Sequence, residues 1–386
     1  MSIKKYCDFC DSKQIEHVYT PIRSARGMEV YLCRNCGLVQ SMSTASYQSR
    51  PPGSMSCDAD RSSYRYTKDV ISNRYEECFS EFIDFSKIDK VLDVGSNRGA
   101  FINYLQSKYP GKSITAIEPD SSVTVSYSSL ANVELQECRF EHARLDNDNY
   151  DFVYCAHTLE HADSARTMLS GIRDALKPGG LFFLAVPNLI FFDDVIEELF
   201  IDPHTFHFKF EVLRDFVQRI GFEVVYEGGS NDPDAVFLLK KNLFDVHEKN
   251  VQNNNFLSQI ILSDIVRYRE NIEYNRVALK KSVDALQGLS TKYRVVIWGG
   301  GRIFDALVRF GGLNVNQVYM VVDKFLHRYA SQINGITLNS PAELEREKMD
   351  DILVFIASRN YANEICEEAS ALGVKNIVRF GNAVTD

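Results

Sequence analysis

The chain has 386 residues, 45% of them hydrophobic and 25% charged, a globular mixture too long for one ordinary core, so two or three domains are expected. Its formal charge of −9 disfavours nucleic acid as the main ligand, because phosphate binding needs a concentrated basic surface. The longest apolar run, GGLFFLAVPNLIFFDDV, is cut by Pro187 and Asn188, and the N-terminal MSIKKYCDFC lacks an apolar signal core. The expectation is a cytoplasmic protein with no membrane partner.

Four of the nine cysteines form two Cys-x-x-Cys knuckles, Cys7 with Cys10 and Cys33 with Cys36. Two residues between thiolates allow a tight turn to aim both sulfurs at one ion, and two such turns close a tetrahedral site. A structural Zn2+ held by Cys7, Cys10, Cys33 and Cys36 is therefore expected, because four sulfurs leave no position for a reacting water. The other five (Cys57, Cys78, Cys138, Cys155 and Cys366) are isolated and read as small buried hydrophobes. Residues 46–62, with Pro51, Pro52 and Gly53 among serines, read as a loop.

From Lys90 onward the pattern becomes α/β. KVLDVGSNRGAFINYL reads as strand, glycine turn and helix, and SITAIEPD as a second strand ending at Glu118, 23 positions after Gly95. DFVYCAHTLEH and LKPGGLFFLAVPN add two more strands. Alternation of this kind predicts a parallel sheet with ligand sites at the carboxyl ends of its strands. Gly95 and Gly99 let the backbone approach a ligand closely, and an acid at the end of the next strand can accept both hydroxyls of a ribose.

These segments, LDVGSNRGAF, AIEPD, DFVYCAHTLEH and LKPGGLFFLAVPN, resemble the class I S-adenosylmethionine (SAM) methyltransferases in order and spacing. The resemblance implies that Asp93, Gly95, Asn97 and Gly99 hold the methionine end of SAM and Glu118 its ribose. It also implies that Arg139 and Phe140 lie by the adenine, and that His157 opens the loop beneath the sulfonium. His161, in the same Leu-Glu-His, reads first as a packing or capping residue.

Both ends of the chain narrow the likeness. CDFC with LCRNCGLVQ, GSNRGAF in the centre, and VVIWGGGR, VVDKF, INGITLNSPAEL and SRNYANEI near the C-terminus resemble the three-domain, zinc-containing C-methyltransferases of nucleotide-linked deoxysugars. The resemblance implies a zinc-binding domain at 1–45, a helical linker and substrate entrance at 46–88, and a methyltransferase domain at 89–244. A helical linker at 245–290 and a Rossmann-like domain at 291–386 would follow. Read from residues alone, the last domain has Gly299, Gly300 and Gly301 at a helix start and Asp323 at the end of its second strand, a plausible nucleotide cradle. Arg359, in the matching SRNYANEI, is assigned with Gly299, Gly301 and Asp323 to a nucleotide-sugar substrate, and Tyr64 and Tyr66 to its entrance.

The acceptor must lose a proton during methyl transfer, so a base is required. In DPHTFHFKFEVLRDF, His204 is the first choice and His207 the second. The resembling sugar enzymes carry a Glu-His pair here; His204 matches the histidine, while Pro203 stands in the glutamate slot, which leaves a hydroxyl as well as a carbon open as acceptor. A metal held by the histidine pair is disfavoured, since the neighbouring sequence is poor in ligands. The rivals are an RNA methyltransferase with a zinc-ribbon reader, using Lys4, Lys5, Arg23, Arg26 and Arg34, and a non-catalytic binding protein. Oligomeric state is not legible.

Overall fold

In the computed structural model the described residues are 6–22, 24, 27–43, 73–121, 127, 130, 132–190, 195, 199–201, 204–242, 255–328, 331–359 and 361–381. Tyr64, Tyr66 and Pro203 lie outside them. The chain divides into two compact units, Met1–Phe192 with Leu199–Val266, and Asp193–Glu198 with Arg267–Asp386. None of the described helices is long and apolar enough to cross a membrane.

The first unit holds two sheets. The smaller is a meander of β1 (Ile15–Tyr19), β2 (Met28–Cys33) and β3 (Val39–Ser43), with Cys7 and Cys10 before β1, Cys33 at the end of β2 and Cys36 in the turn to β3. The larger begins with β4 (Lys90–Val94), whose residues after Lys90 are buried in an apolar run, as a central parallel strand requires. After helix α1 (Asn73–Phe82) and β4 come α2 (Ala100–Lys108), β5 (Ser113–Ile117), β6 (Val133–Gln136) and β7 (Tyr150–Ala156). Then follow α3 (Ala165–Ala175), β8 (Leu176–Pro187), β9 (Phe206–His207), α4 (Phe210–Ile220), β10 (Phe222–Gly228) and β11 (Asp234–Lys241).

The seven strands run β10-β11-β8-β7-β4-β5-β6, with β11 antiparallel to both its neighbours and the other pairs parallel. The chain leaves β4 toward β5 and returns on the other side at β7, so strand order reverses between β4 and β7. In an open α/β sheet that reversal opens a crevice at the strands' carboxyl ends.

The short β9 belongs to neither half of that pattern. It pairs with β3, Val39 opposite His207 and Gln40 opposite Phe206, and so completes the cysteine-bearing sheet. The cysteine-bearing segment and the central sheet fall in one compact unit. The Arg166 backbone N–H at the start of α3 donates to Asp8 (2.9 Å), and its guanidinium reaches Asp11 (2.7 Å) and the Phe9 carbonyl.

The linker expected as a helix or helical pair is one helix, α5 (Asn255–Leu289), about 50 Å long at 1.5 Å per residue. Ile261, Ile265, Tyr268, Ile272, Leu279, Val283 and Leu286 are its buried apolar side, at the three-, four- and seven-residue steps of a helix face.

The second unit carries β12 (Arg294–Trp298), α6 (Arg302–Arg309), β13 (Val318–Val322), β14 (Gln332–Ile333), β15 (Ile336–Asn339), β16 (Ile352–Ile356), α7 (Ala362–Ala371) and β17 (Asn376–Arg379). Their order is β14-β15-β13-β12-β16-β17, with a parallel core in which strand order reverses between β12 and β16. Separate apolar clusters cover the sheet's two faces, one built on Phe304, Leu307 and Leu286, the other on Leu344, Ala369 and Trp298.

Phe79 of α1 packs edge-on against Phe183, Phe152 and Phe85 at the centre of the first unit's core. Phe79→Ala should lower stability by about 3–5 kcal/mol, read as a shifted urea midpoint with an unchanged slope.

Candidate active site

The turn after β4 is shaped by residues in left-handed backbone conformation: Gly95 at φ 73°, Asn97 at 46° and Gly99 at 74°. A Cβ on Gly95 would overlap the Thr158 hydroxyl, so only glycine lets the end of β7 close over the turn. Thr158 in turn donates to the Val94 carbonyl (3.2 Å). Glu118 Oε2 accepts the Asn97 N–H (2.8 Å) and its Oε1 the Asp120 N–H (2.9 Å), which fixes the turn's apex to the end of β5. Burial pushes the Glu118 carboxyl above its ordinary range. Each of these oxygens keeps acceptor capacity beyond its one backbone bond.

Asp93, at the end of β4, is 1% exposed, and neither of its carboxylate oxygens has a hydrogen-bond partner. Burial, and then the nearby Glu118, push its carboxyl well above the usual range. An orphaned acidic group beside a glycine turn fits a ligand that brings donors or positive charge, as an aminoacyl sulfonium does. The residues expected to hold SAM therefore suit it chemically. Phe140 packs where a Cβ on Gly171 would meet it at 2.9 Å. Arg139, expected by the adenine, donates to the His161 carbonyl (3.0 Å) and to Asp163 (2.8 Å), so its guanidinium ties two loops together.

Beyond β7 the chain turns sharply at His157, a non-glycine residue at φ 52°. Its imidazole, 45% exposed, lies between Glu160 Oε1 (3.9 Å from Nδ1) and Asp234 Oδ2 (3.7 Å from Nε2). Glu160 is 2% exposed, and burial, reinforced by Asp234, pushes its carboxyl up to about 8. His161 Nε2 is 3.7 Å from Glu160 Oε1, and its ring meets that of His204 edge-on at 5.0 Å. The Thr205 N–H donates to the Glu160 carbonyl (2.8 Å), binding the 204–207 segment to the end of β7.

The two candidate bases are placed differently. His204 is half-buried in the group with Glu160 and His161. His207 is 5% exposed on β9, its Nε2 is 2.7 Å from Ser41 Oγ, and its ring abuts Phe200. Burial holds the His207 imidazole down to about 3. Glu160 and Asp234 were missed by the sequence reading. Glu160 sat in view beside His161, whereas Asp234 follows a turn held by Asn188, whose Nδ2 donates to the carbonyls of Gly229, Ser230 and Asp232.

The four cysteines converge as their spacing predicts. Cys7 and Cys36 sulfurs are 3.5 Å apart, Cys10 and Cys33 3.6 Å, and all four lie within 4.8 Å of one another. Four sulfurs so crowded cannot all ionise without a cation, and their number and closeness fit a tetrahedral zinc site.

In the second unit, Gly299 has φ 112°, and a Cβ there would meet the Ala357 carbonyl at 2.9 Å. Asp323 Oδ2 accepts the Gly300 N–H (3.0 Å), while Oδ1 accepts those of Phe325 (2.9 Å) and Leu326 (2.8 Å). Gly301, the N-cap of α6, has open space where a side chain would stand. Arg359 donates to Asn275 of α5 and lies over the Phe380 ring at 5.2 Å.

One pH effect follows from His207. Its folded pKa lies near 3, below the ordinary 6.5, so the unfolded chain takes up that proton first. This contribution to stability is complete above about pH 6.5 and shrinks as pH falls toward 3. Between pH 7 and 5 it should cost the wild type about 2 kcal/mol more than His207→Gln, read from urea midpoints at the two pH values.

Residues 64–227 match a family model described as a methyltransferase domain, and residues 291–377 one described as C2185-like, N-terminal. The tRNA U34 carboxymethyltransferase of Nautilia profundicola is 30% identical over 95 residues, covering 23% of this chain and 31% of that protein. The ubiquinone biosynthesis O-methyltransferase of Rickettsia bellii is 24% identical over 115 residues, covering 29% and 48%. The chain thus spans a third to a half of the length of these curated relatives. Among solved structures, the S-adenosylmethionine dependent methyltransferase from Mesorhizobium loti is similar at 11% identity, 44% and 97% coverage and a TM-score of 0.38. The 1,6-didemethyltoxoflavin-N1-methyltransferase of Burkholderia thailandensis is similar at 17% identity, 53% and 96% coverage and a TM-score of 0.35. With its reversal of strand order at β4, its glycine turn and acid at β5, and the family match over 64–227, the central segment is a class I SAM-dependent methyltransferase domain.

Proposed function

We propose that the protein transfers a methyl group from SAM to a hydroxyl or carbon of a nucleotide-activated sugar, with His204 as the proton acceptor. The observation that carries this reading is the histidine and carboxylate cluster at the end of β7, adjoining the glycine turn and the orphaned Asp93. When bound, SAM supplies a methyl group on a positively charged sulfur, which keeps the S–C electron pair as the methyl leaves. The chain's own work is to hold the acceptor in line and to take its proton.

In this reading Gly95 and Asn97 present the turn to the donor and Glu118 accepts its ribose diol, which the acceptor capacity left on each Glu118 oxygen supports. Burial disfavours the charged forms of Asp93 and Glu118, and the positive charge that the donor brings would offset this. His204 is the better base than His207, because its ring is half-exposed beside the cluster while His207 is sealed between Ser41 and Phe200. In this reading the second unit has a nucleotide-sugar site of its own at its glycine turn, using Gly299, Gly301, Asp323 and Arg359. Zn2+ on Cys7, Cys10, Cys33 and Cys36 is structural in this reading. It braces β3, and through β3 the strand that carries His207.

A tRNA acceptor is the second reading, favoured by the likeness to a tRNA-modifying protein. Against it stand the net charge of −9 and the ion pair of Arg34 with Glu16 (3.1 Å). Retention on RNA that collapses between low and moderate salt would favour it.

Incubating the full chain with SAM and a panel of nucleotide sugars should give one product heavier by a methyl group. His204→Ala should lower kcat by roughly 100-fold or more with SAM affinity intact, and His207→Ala should act mainly on stability. Failure to bind SAM by calorimetry overturns the reading. Cys36→Ser should release the zinc and lower the melting temperature by about 6–12 °C, for a loss of about 3 kcal/mol, read by metal analysis and a thermal scan.

A further inference from the structure

We propose that Glu160, His161 and His204 hold a divalent transition-metal ion, at a site separate from the four cysteines. Among the described residues these three and the four cysteines are the groups whose ligand atoms converge, with one donor from each of the three within 4.8 Å of the others. Two imidazoles and one carboxylate are a ligand set for manganese, iron, cobalt or zinc that leaves positions open to oxygen. Donors about 2.1 Å from a common ion stand roughly 3–4 Å apart, so small side-chain rotations would close the site.

Two observations favour an ion over simple packing. Glu160 is 2% exposed, and its Oε2 has no hydrogen-bond partner. A buried carboxylate oxygen is costly unless a donor or cation meets it. Its other oxygen stands 3.7 Å from His161 Nε2 and 3.9 Å from His157 Nδ1, beyond hydrogen-bonding range of both. That spacing suits atoms that share a partner between them.

The supporting shell is built from the backbone. Thr205 N–H to the Glu160 carbonyl (2.8 Å) fastens the segment bearing His204 to the segment bearing Glu160. Arg139 Nη2 to the His161 carbonyl (3.0 Å) fastens the latter from the other side. Ligands from separate stretches of chain are thereby kept in register, as metal sites require.

The inference deepens the methyl-transfer reading and rests on it for the ion's role. An ion with open positions takes two neighbouring oxygens of the acceptor, a pattern that a sugar's vicinal diol or hydroxy-ketone offers. It polarises the reacting hydroxyl so that the O–H electron pair stays on oxygen for attack on the methyl carbon. With an ion bound, His204 serves as its ligand in place of the direct base described above, and the proton of the ion-polarised hydroxyl leaves to solvent water. The site therefore decides which acceptors are held, not only how fast they react.

The test is titration of the full chain with Mn2+ alone, followed by electron paramagnetic resonance, because manganese prefers nitrogen and oxygen donors to the cysteine thiolates. One ion per chain is expected, bound at least about tenfold more weakly by each of Glu160→Gln, His161→Ala and His204→Ala, while SAM still binds each variant. No Mn2+ on the wild-type chain, or equal binding by all three variants, overturns the ion site. Ion binding is read without SAM, so a wild-type chain that takes up Mn2+ but gives no heat with SAM would sink the methyltransferase reading and leave the ion site standing.

Discussion

A missing side chain at position 95 underlies the site. Because Gly95 has no Cβ, Thr158 packs directly on the turn after β4 and hydrogen-bonds to the Val94 carbonyl. That contact draws the loop following β7 over the glycine turn, and with it His157, Glu160 and His161. Two loops from strands on either side of the fold's topological reversal become one surface. A methyl group at 95 would collide with Thr158 and hold that loop off the turn.

The second constraint is the way the cysteine segment is built in. Its sheet is completed by β9, and its first knuckle is held to the start of α3 by Asp8, Asp11 and Arg166. Phe9 stacks against Phe216 of α4 as well. A four-sulfur site has no vacancy for chemistry, yet its turns flank β3, the strand against which Phe206 and His207 pair.

The two units repeat one local solution with different residues. In each, an acid at the end of the second parallel strand accepts a backbone N–H from the glycine turn after the first: Glu118 from Asn97, and Asp323 from Gly300. The difference lies in spare capacity. Asp323 also accepts two further N–H groups on its other oxygen, whereas Glu118 takes a single bond on each oxygen. The acid in the first unit is thus the freer of the two to meet a diol, while Asp323 shapes its own turn more completely.

Much of this was written in the sequence because it is local. Apolar runs bounded by glycine turns specify parallel strands, cysteines two apart specify knuckles, and the acid following the second strand falls where the sheet's register puts it. The pairing of β9 with β3 was not legible, since a two-residue strand has no periodicity and its partner lies more than 160 positions away. Nor was the gathering of Glu160, His161, His204 and Asp234. Those residues come from three separate loops, and only the closing of the sheet, with the Thr205 bond and the turn held by Asn188, brings them together. Neighbours along the chain suffice to specify the elements and the glycine turn, whereas the histidine and carboxylate cluster depends on which distant loops the sheet order sets side by side.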